Sequence, residues 1–168
     1  MLYQKKYDSM LGQITLLGDE NYLYGVWFEN QQYFGAEYDL AAIKTGETKP
    51  LQQATKWLDQ YFAGDKPRID NLPVKPEVTD FRKRVLAILQ TIPYGKKVTY
   101  KEISDVLQKG EAVPKNLSRA VGGAVGHNPI SIIIPCHRVV GSNGSLTGYA
   151  GGIDRKIALL QLEAENSD

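Results

Sequence analysis

The apolar positions of this chain repeat first with the period of strands and then with that of helices. Gly12-Gln13-Ile14-Thr15-Leu16-Leu17 and Tyr22-Leu23-Tyr24-Gly25-Val26-Trp27-Phe28 are rich in strand-forming residues. Gly18-Asp19-Glu20-Asn21 between them has the composition of a hairpin turn. Pro50 then opens a helix with Leu51, Ala54, Leu58 and Tyr61/Phe62 on one face, closed by Gly64. From Asp65 to Pro76 the helical period is lost, and Pro67, Pro73 and Pro76 mark an extended linker.

Beyond the linker the pattern is helical. Phe81, Val85, Ile88, Leu89 and Ile92 share a face that ends at Pro93-Tyr94-Gly95. Thr99 and Glu102 have capping-box spacing ahead of Ile103, Val106 and Leu107. A loop through Gly110 and Pro114 leads to a second helix, Asn116 to about Val125, and the pair suggests a helix-turn-helix. Ile130 to Ile134 reads as a strand and Ser142-Asn143-Gly144-Ser145 as a tight turn. A last helix runs from about Ile153 to Glu163, with Ile157, Leu160 and Leu159 facing inward. The expected fold is an α/β (α+β) N-terminal domain with a small β-sheet over residues 1–76. A mainly helical C-terminal domain with the helix-turn-helix follows over residues 77–168.

Composition narrows the class. Hydrophobic residues make up 42% and charged residues 23% of the 168, as in an ordinary globular protein. No apolar run is long enough for a membrane span, and Met1–Lys6 does not resemble a secretory signal. A single cysteine allows no internal disulfide, so a reducing, cytoplasmic home is expected. With only two histidines besides, a zinc site of sulfur and imidazole is not expected.

The net charge of +1 conceals an asymmetry. Residues 1–76 carry 8 Lys and Arg against 10 Asp and Glu, whereas residues 81–156 carry 12 against 4. A region that basic can contact phosphates, although charge alone favours an unevenly charged solvated surface.

A lone cysteine is ordinarily a small buried apolar residue. Three features set Cys136 apart. It follows an apolar run and Pro135; His137 and Arg138 follow it, and a neighbouring base or cation lowers a thiol pKa. Glycines at 141, 144, 148, 151 and 152 also allow backbone to approach a flat ligand. Side chains adjacent on a strand point to opposite faces, so Cys136 and His137 need an unusual backbone to cooperate.

Pro135-Cys136-His137-Arg138-Val139 resembles the active-site signature of the O6-alkylguanine-DNA alkyltransferases, the methylated-DNA–protein-cysteine S-methyltransferases. The resemblance extends to Ile92-Pro93-Tyr94-Gly95, Val98-Thr99-Tyr100 and Ser118-Arg119-Ala120-Val121-Gly122-Gly123-Ala124. It continues in Asn128-Pro129, Thr147-Gly148-Tyr149-Ala150-Gly151-Gly152, Arg155-Lys156, Leu159-Leu160 and Glu163. Order and spacing match over about residues 80–163; the first 76 match the family's N-terminal domain only in position and element order.

The resemblance implies a DNA-repair transferase that acts once. A thiolate attacks the alkyl carbon of O6-alkylguanine, and also of O4-alkylthymine, and keeps the alkyl group. Cys136 would be the nucleophile, His137 its base through a water, and Glu163 the residue orienting the imidazole. Tyr100 would donate to the guanine ring and crowd the backbone phosphate. Tyr149 would wall the pocket, and backbone of Cys136, Val139 and Ala150, with Gly151 beside it, would read the base edge. The target base must leave the duplex. Arg119 would fill its place, while Ser118, Ala120, Gly122 and Gly123 let the helix enter the minor groove. Asn128 would be the hinge between that helix and the active-site segment. No metal or cofactor is implied; the partner is double-stranded DNA carrying alkylated guanine, and the protein is expected to be a monomer.

The chain departs from the family pattern in places. Lys109–Val113 lengthens the connection between the two motif helices, Leu86 stands where tryptophan is frequent, and the N-terminal zinc ligands of some relatives are missing. His127 receives no role. Two rival functions fit Cys136 less well: a DNA-binding module without transfer, and a cysteine hydrolase, which would turn over.

Overall fold

The structure, a computed structural model, describes residues 1–146 and 148–167; Thr147 of the Thr147–Gly152 run lies outside the described residues. Three strands, β1 (Tyr3–Ser9), β2 (Gly12–Gly18) and β3 (Leu23–Phe28), form an antiparallel sheet in that order. The predicted turn between β2 and β3 is closed by Asp19, whose Oδ1 accepts from the amides of Asn21 (2.8 Å) and Tyr22 (2.7 Å). β1 has no counterpart among the sequence expectations. It is an edge strand, and Gln4, Lys5, Lys6 and Asp8 blur its alternation, as polar residues commonly do at an edge.

Helix α1 (Lys49–Phe62) starts at Thr48, whose hydroxyl accepts from the Leu51 amide, with Pro50 in the first turn. It buries Leu51, Ala54, Leu58 and Tyr61 in a core shared with Ile14, Leu16, Val26 and Phe28 of the sheet. That core continues without a break through Val85, Leu89, Ile103, Val121 and Ile130 to Leu159. The segment 65–76 is docked rather than loose. Leu23 donates to the Pro73 carbonyl (2.9 Å) and Lys75 to the Leu23 carbonyl (2.8 Å), covering the outer edge of β3.

Helices α2 (Asp80–Leu89), α3 (Tyr100–Leu107), α4 (Ser118–Gly126) and α5 (Ile153–Glu165) make up most of the remainder. The capping box of α3 is present, with Thr99 accepting from the Glu102 amide (3.0 Å) and Glu102 from the Thr99 amide (3.2 Å). Val106 is 56% exposed, and α3 buries Ile103 and Ser104. α4 begins at Ser118 rather than Asn116, whose side chain caps the entry by accepting from the Ser118 amide. On α5 the fully buried line is Lys156, Leu159 and Glu163; Ile157 and Leu160 are only half-buried. Two polar residues on the buried line hide it from an apolar pattern.

The expected strand at 130–134 is a compact turn. Ile134 donates to the Ile130 carbonyl (3.1 Å), and Ile132 has φ +69°, a value that β-branched residues rarely adopt. An apolar run buried on every side looks the same in sequence whether it is strand or turn. Strands β4 (Val98–Thr99) and β5 (Val139–Val140) pair in parallel just after it. This pairing brings Tyr100, at the start of α3, alongside the segment that follows Cys136.

Candidate active site

Cys136, His137 and Arg138 form a single 3-10 turn, all three buried. A 3-10 turn sets consecutive side chains about 120° apart instead of on the opposite faces of a strand. Asn128 braces this geometry from beneath. Its Nδ2 donates to the carbonyls of Ile134 (2.8 Å) and Ile130 (3.3 Å), and its Oδ1 accepts from the Ile130 amide (3.0 Å). The same side chain favours the ionised form of the Cys136 thiol.

Burial pushes the Cys136 thiol up to about 11; Asn128 and the charge of Lys156 work in the opposite direction. The cation acting on the thiol is therefore Lys156, not Arg138. Lys156 is fully buried, and its Nζ donates to the Val139 carbonyl at 2.5 Å. Burial lowers its own pKa, and the nearby thiolate charge resists that change.

Arg138 turns away to Glu163. Its Nε donates to Glu163 Oε1 (2.7 Å), its Nη2 to Oε2 (3.1 Å) and its Nη1 to the Ile92 carbonyl (2.7 Å). Glu163 also accepts from the Tyr61 hydroxyl (2.6 Å), the Gly95 amide (3.0 Å) and His137 Nε2 (2.6 Å). Burial alone would raise the Glu163 carboxyl, but the hydrogen bonds from His137 and Arg138 and the charge of Arg138 hold it well below the usual carboxylate range. Burial likewise lowers His137, so the imidazole is neutral and the carboxylate ionised. An ionised carboxylate only accepts, so Nε2 carries the proton and Nδ1 holds the lone pair. Nδ1 is buried and takes no hydrogen bond among the described residues.

Tyr100 and Tyr149 both feel the Cys136 charge, which with burial raises their hydroxyl pKa values. Tyr149 is 7% exposed and lies over Gly151, where a Cβ would come within 2.6 Å of the ring. Gly148 (φ +81°) lies against the Tyr100 hydroxyl, 3.0 Å from where its Cβ would be. Two expected base contacts already have partners: the Val139 carbonyl holds Lys156, and the Ala150 carbonyl accepts from the Gln32 amide (3.0 Å). On α4, Arg119, Ala120 and Gly123 are exposed, while Ser118 and Gly122 are half-buried.

The structure thus gathers Asn128, Tyr100, Tyr149 and Gly151 around Cys136, with His137 and Glu163 paired beside it, and sets Arg119 apart on the surface. Two family models match the chain. The model described as "6-O-methylguanine DNA methyltransferase, DNA binding domain" matches residues 80–165, and the one described as its ribonuclease-like domain matches residues 2–76. The chain belongs to the 6-O-methylguanine DNA methyltransferase family. The methylated-DNA–protein-cysteine methyltransferase of Haemophilus influenzae is 40% identical over 162 residues, covering 96% of this chain and 86% of the relative. That of Mycobacterium tuberculosis is 41% identical over 163 residues, covering 97% and 93%. The crystal structure of the M. tuberculosis O6-methylguanine methyltransferase superposes with a TM-score of 0.84 at 39% identity, over 100% of this chain and 96% of that one. A structure of the M. tuberculosis protein in complex with DNA gives 0.83 at 38% identity, over 98% and 94%.

Three members of this methyltransferase site escape a sequence reading. Tyr61 looks like one more core residue of α1; the signal for it is that a buried tyrosine hydroxyl requires a partner. Arg138 stands out in the sequence only as a cation next to Cys136 and Lys156 only as part of the family pattern, and the fold reveals that both are buried.

Proposed function

We propose that this protein repairs alkylated DNA directly, moving one alkyl group from O6-alkylguanine, or O4-alkylthymine, in double-stranded DNA to Cys136. Membership of the family supports transfer as the reaction. The single observation carrying the assignment to Cys136 is the buried turn that sets it directly before His137, whose imidazole is paired with Glu163.

In the free protein the thiol is protonated at neutral pH, so attack needs a base. His137 serves through Nδ1, with a water carrying the proton from Sγ. Glu163 then stabilises the imidazolium, as the third member of a triad does. The sulfur–carbon bond forms as the carbon–O6 bond breaks, and the electron pair stays on the guanine oxygen. A proton donated towards the ring, with Tyr100 as donor, makes guanine a better leaving group. The thioether that results is not hydrolysed, so each molecule reacts once.

The base reaches this pocket by flipping out of the duplex, stacking on Tyr149 against Gly151, Ala150 and Val139. Arg119 fills the gap, and Ser118, Ala120, Gly122 and Gly123 run along the minor groove. A Cβ at Gly123 would meet nothing within 4 Å, and one at Gly122 only Tyr100 at 3.9 Å, so internal packing does not require these glycines. An approaching backbone would. In this reading α3 and α4 act as a helix-turn-helix, the chain divides into residues 1–76 and 77–168, and the protein works as a cytoplasmic monomer.

Intact mass after incubation with a duplex carrying O6-methylguanine tests the proposal. One methyl per molecule is expected, and none in Cys136→Ala. Tight binding without mass gain would favour a DNA-binding module, and repeated turnover a hydrolase.

A further inference from the structure

The loop that follows β3, residues 29–36, reaches the site from the N-terminal half at several points. The Gln32 amide donates to the Ala150 carbonyl at 3.0 Å. The Tyr33 ring stacks on His127, with centroids 3.8 Å apart and planes 27° apart. Buried Gln31 accepts from the Phe28 amide (2.8 Å) and the Ser131 hydroxyl (3.4 Å). Arg155 joins the carbonyls of Glu29 (2.9 Å) and Gly151 (3.3 Å) through one nitrogen.

Three non-glycine residues of this loop, Asn30, Tyr33 and Ala36, have left-handed backbone, with φ of 61°, 57° and 50°. Such conformations persist only where their surroundings impose them, and they gather at ligand clamps. Tyr33 is 53% exposed, so core burial does not explain its placement. His127, its partner, is the residue before Asn128, which braces the Cys136 turn.

We propose that Tyr33 and His127 are a positioning pair for the base pocket. Their stack pins the 29–36 loop against the end of α4, so that the Gln32 amide holds Ala150 and the Tyr149–Gly151 wall at a set distance from Cys136. This rests on the alkyl-transfer reading of the site. Displacement of such a wall by about 1 Å is enough to slow an in-line displacement by up to about 100-fold.

The test uses the full chain with Tyr33→Ala, Tyr33→Phe, His127→Ala and the Tyr33→Ala/His127→Ala double variant. Hydrogen–deuterium exchange of residues 148–152 is measured without DNA, and single-turnover methyl transfer at saturating O6-methylguanine duplex. Tyr33→Ala is expected to speed the exchange and slow transfer by about fivefold or more, while Tyr33→Phe stays within about twofold of the wild type. The double variant should be no slower than the slower single, as for residues acting through one contact. Alkylation of Cys136 by iodoacetamide in Tyr33→Ala should be unchanged. Wild-type exchange and transfer in Tyr33→Ala, multiplicative losses in the double variant, or an equal loss with iodoacetamide would each overturn the pair. If the wild type gains no methyl, the transfer reading fails, and exchange still decides whether the stack holds the pocket loop.

Discussion

Nε2 of His137 and Oε2 of Glu163 are 2.6 Å apart and shut off from solvent, and the carboxylate's inability to donate leaves Nδ1 as the basic nitrogen. Glu163 thus determines which imidazole nitrogen is left basic. It does so while also accepting from Tyr61, Arg138 and the Gly95 amide.

Glu163→Gln should therefore cost both stability and rate. It leaves the buried Arg138 guanidinium without its charge partner, a loss of about 3–5 kcal/mol. It also allows the amide to donate to Nε2, favouring the wrong tautomer. Urea unfolding and single-turnover methyl transfer are the measurements; wild-type values in both would contradict this account of the site.

Stability should fall on both sides of neutrality. The carboxyl of Glu163 and the imidazole of His137 have lower pKa values folded than unfolded, so the unfolded chain binds more protons as acid is added. Their contribution is complete above the ordinary His value of 6.5. It declines below that as histidine in the unfolded chain takes up a proton that buried His137 resists, and further below 4.5 as the unfolded glutamate takes up one that Glu163 resists. Cys136 is raised, so its contribution holds below 9.0 and is lost as the pH rises through about 11. Urea midpoints across pH check this, with the loss between pH 9.0 and 10.0 smaller in Cys136→Ala, before the buried tyrosines add theirs.

Gly123→Leu separates folding from DNA contact. No atom lies within 4 Å of the added Cβ, and leucine favours a helix over glycine by somewhat under about 1 kcal/mol. Thermal stability is expected to hold or rise while methyl transfer from duplex DNA falls by about tenfold or more. Retained duplex activity would remove the groove role of α4.

Arg119→Ala should weaken reaction with duplex O6-methylguanine far more than reaction with free O6-benzylguanine, which needs no flipping. Arg119 is exposed, so stability should change little. Equal losses on both substrates would argue against a flipping role.

Tyr61→Phe removes one donor from Glu163, together with the longer contact of the same hydroxyl with His137 Nε2 (3.4 Å). A net hydrogen bond to a charged group is worth about 1.5–3 kcal/mol, so a moderate loss of stability is expected in urea unfolding. Methyl transfer should slow, because α1 then no longer steadies the carboxylate that orients His137.

By itself the sequence determined the elements with strong local signals. The β2–β3 turn with its Asp19, the Thr99–Glu102 capping box and α1 after Pro50 all depend on residues a few positions apart. It also determined the family, because the spacing of Cys136, Asn128, Tyr100 and Glu163 is itself a sequence property. Tertiary structure decided what local signals cannot express. The apolar run 130–134 became a turn because it is buried all round and braced by Asn128, not because of its composition. The charges of Lys156 and Arg138 went inside because Val139, Ile92 and Glu163 supply their acceptors, two of them backbone carbonyls and one a residue 25 positions away. Tyr61 joined the site from 102 residues away. A buried polar group is stable only beside its partner, and partners so distant meet only through the fold.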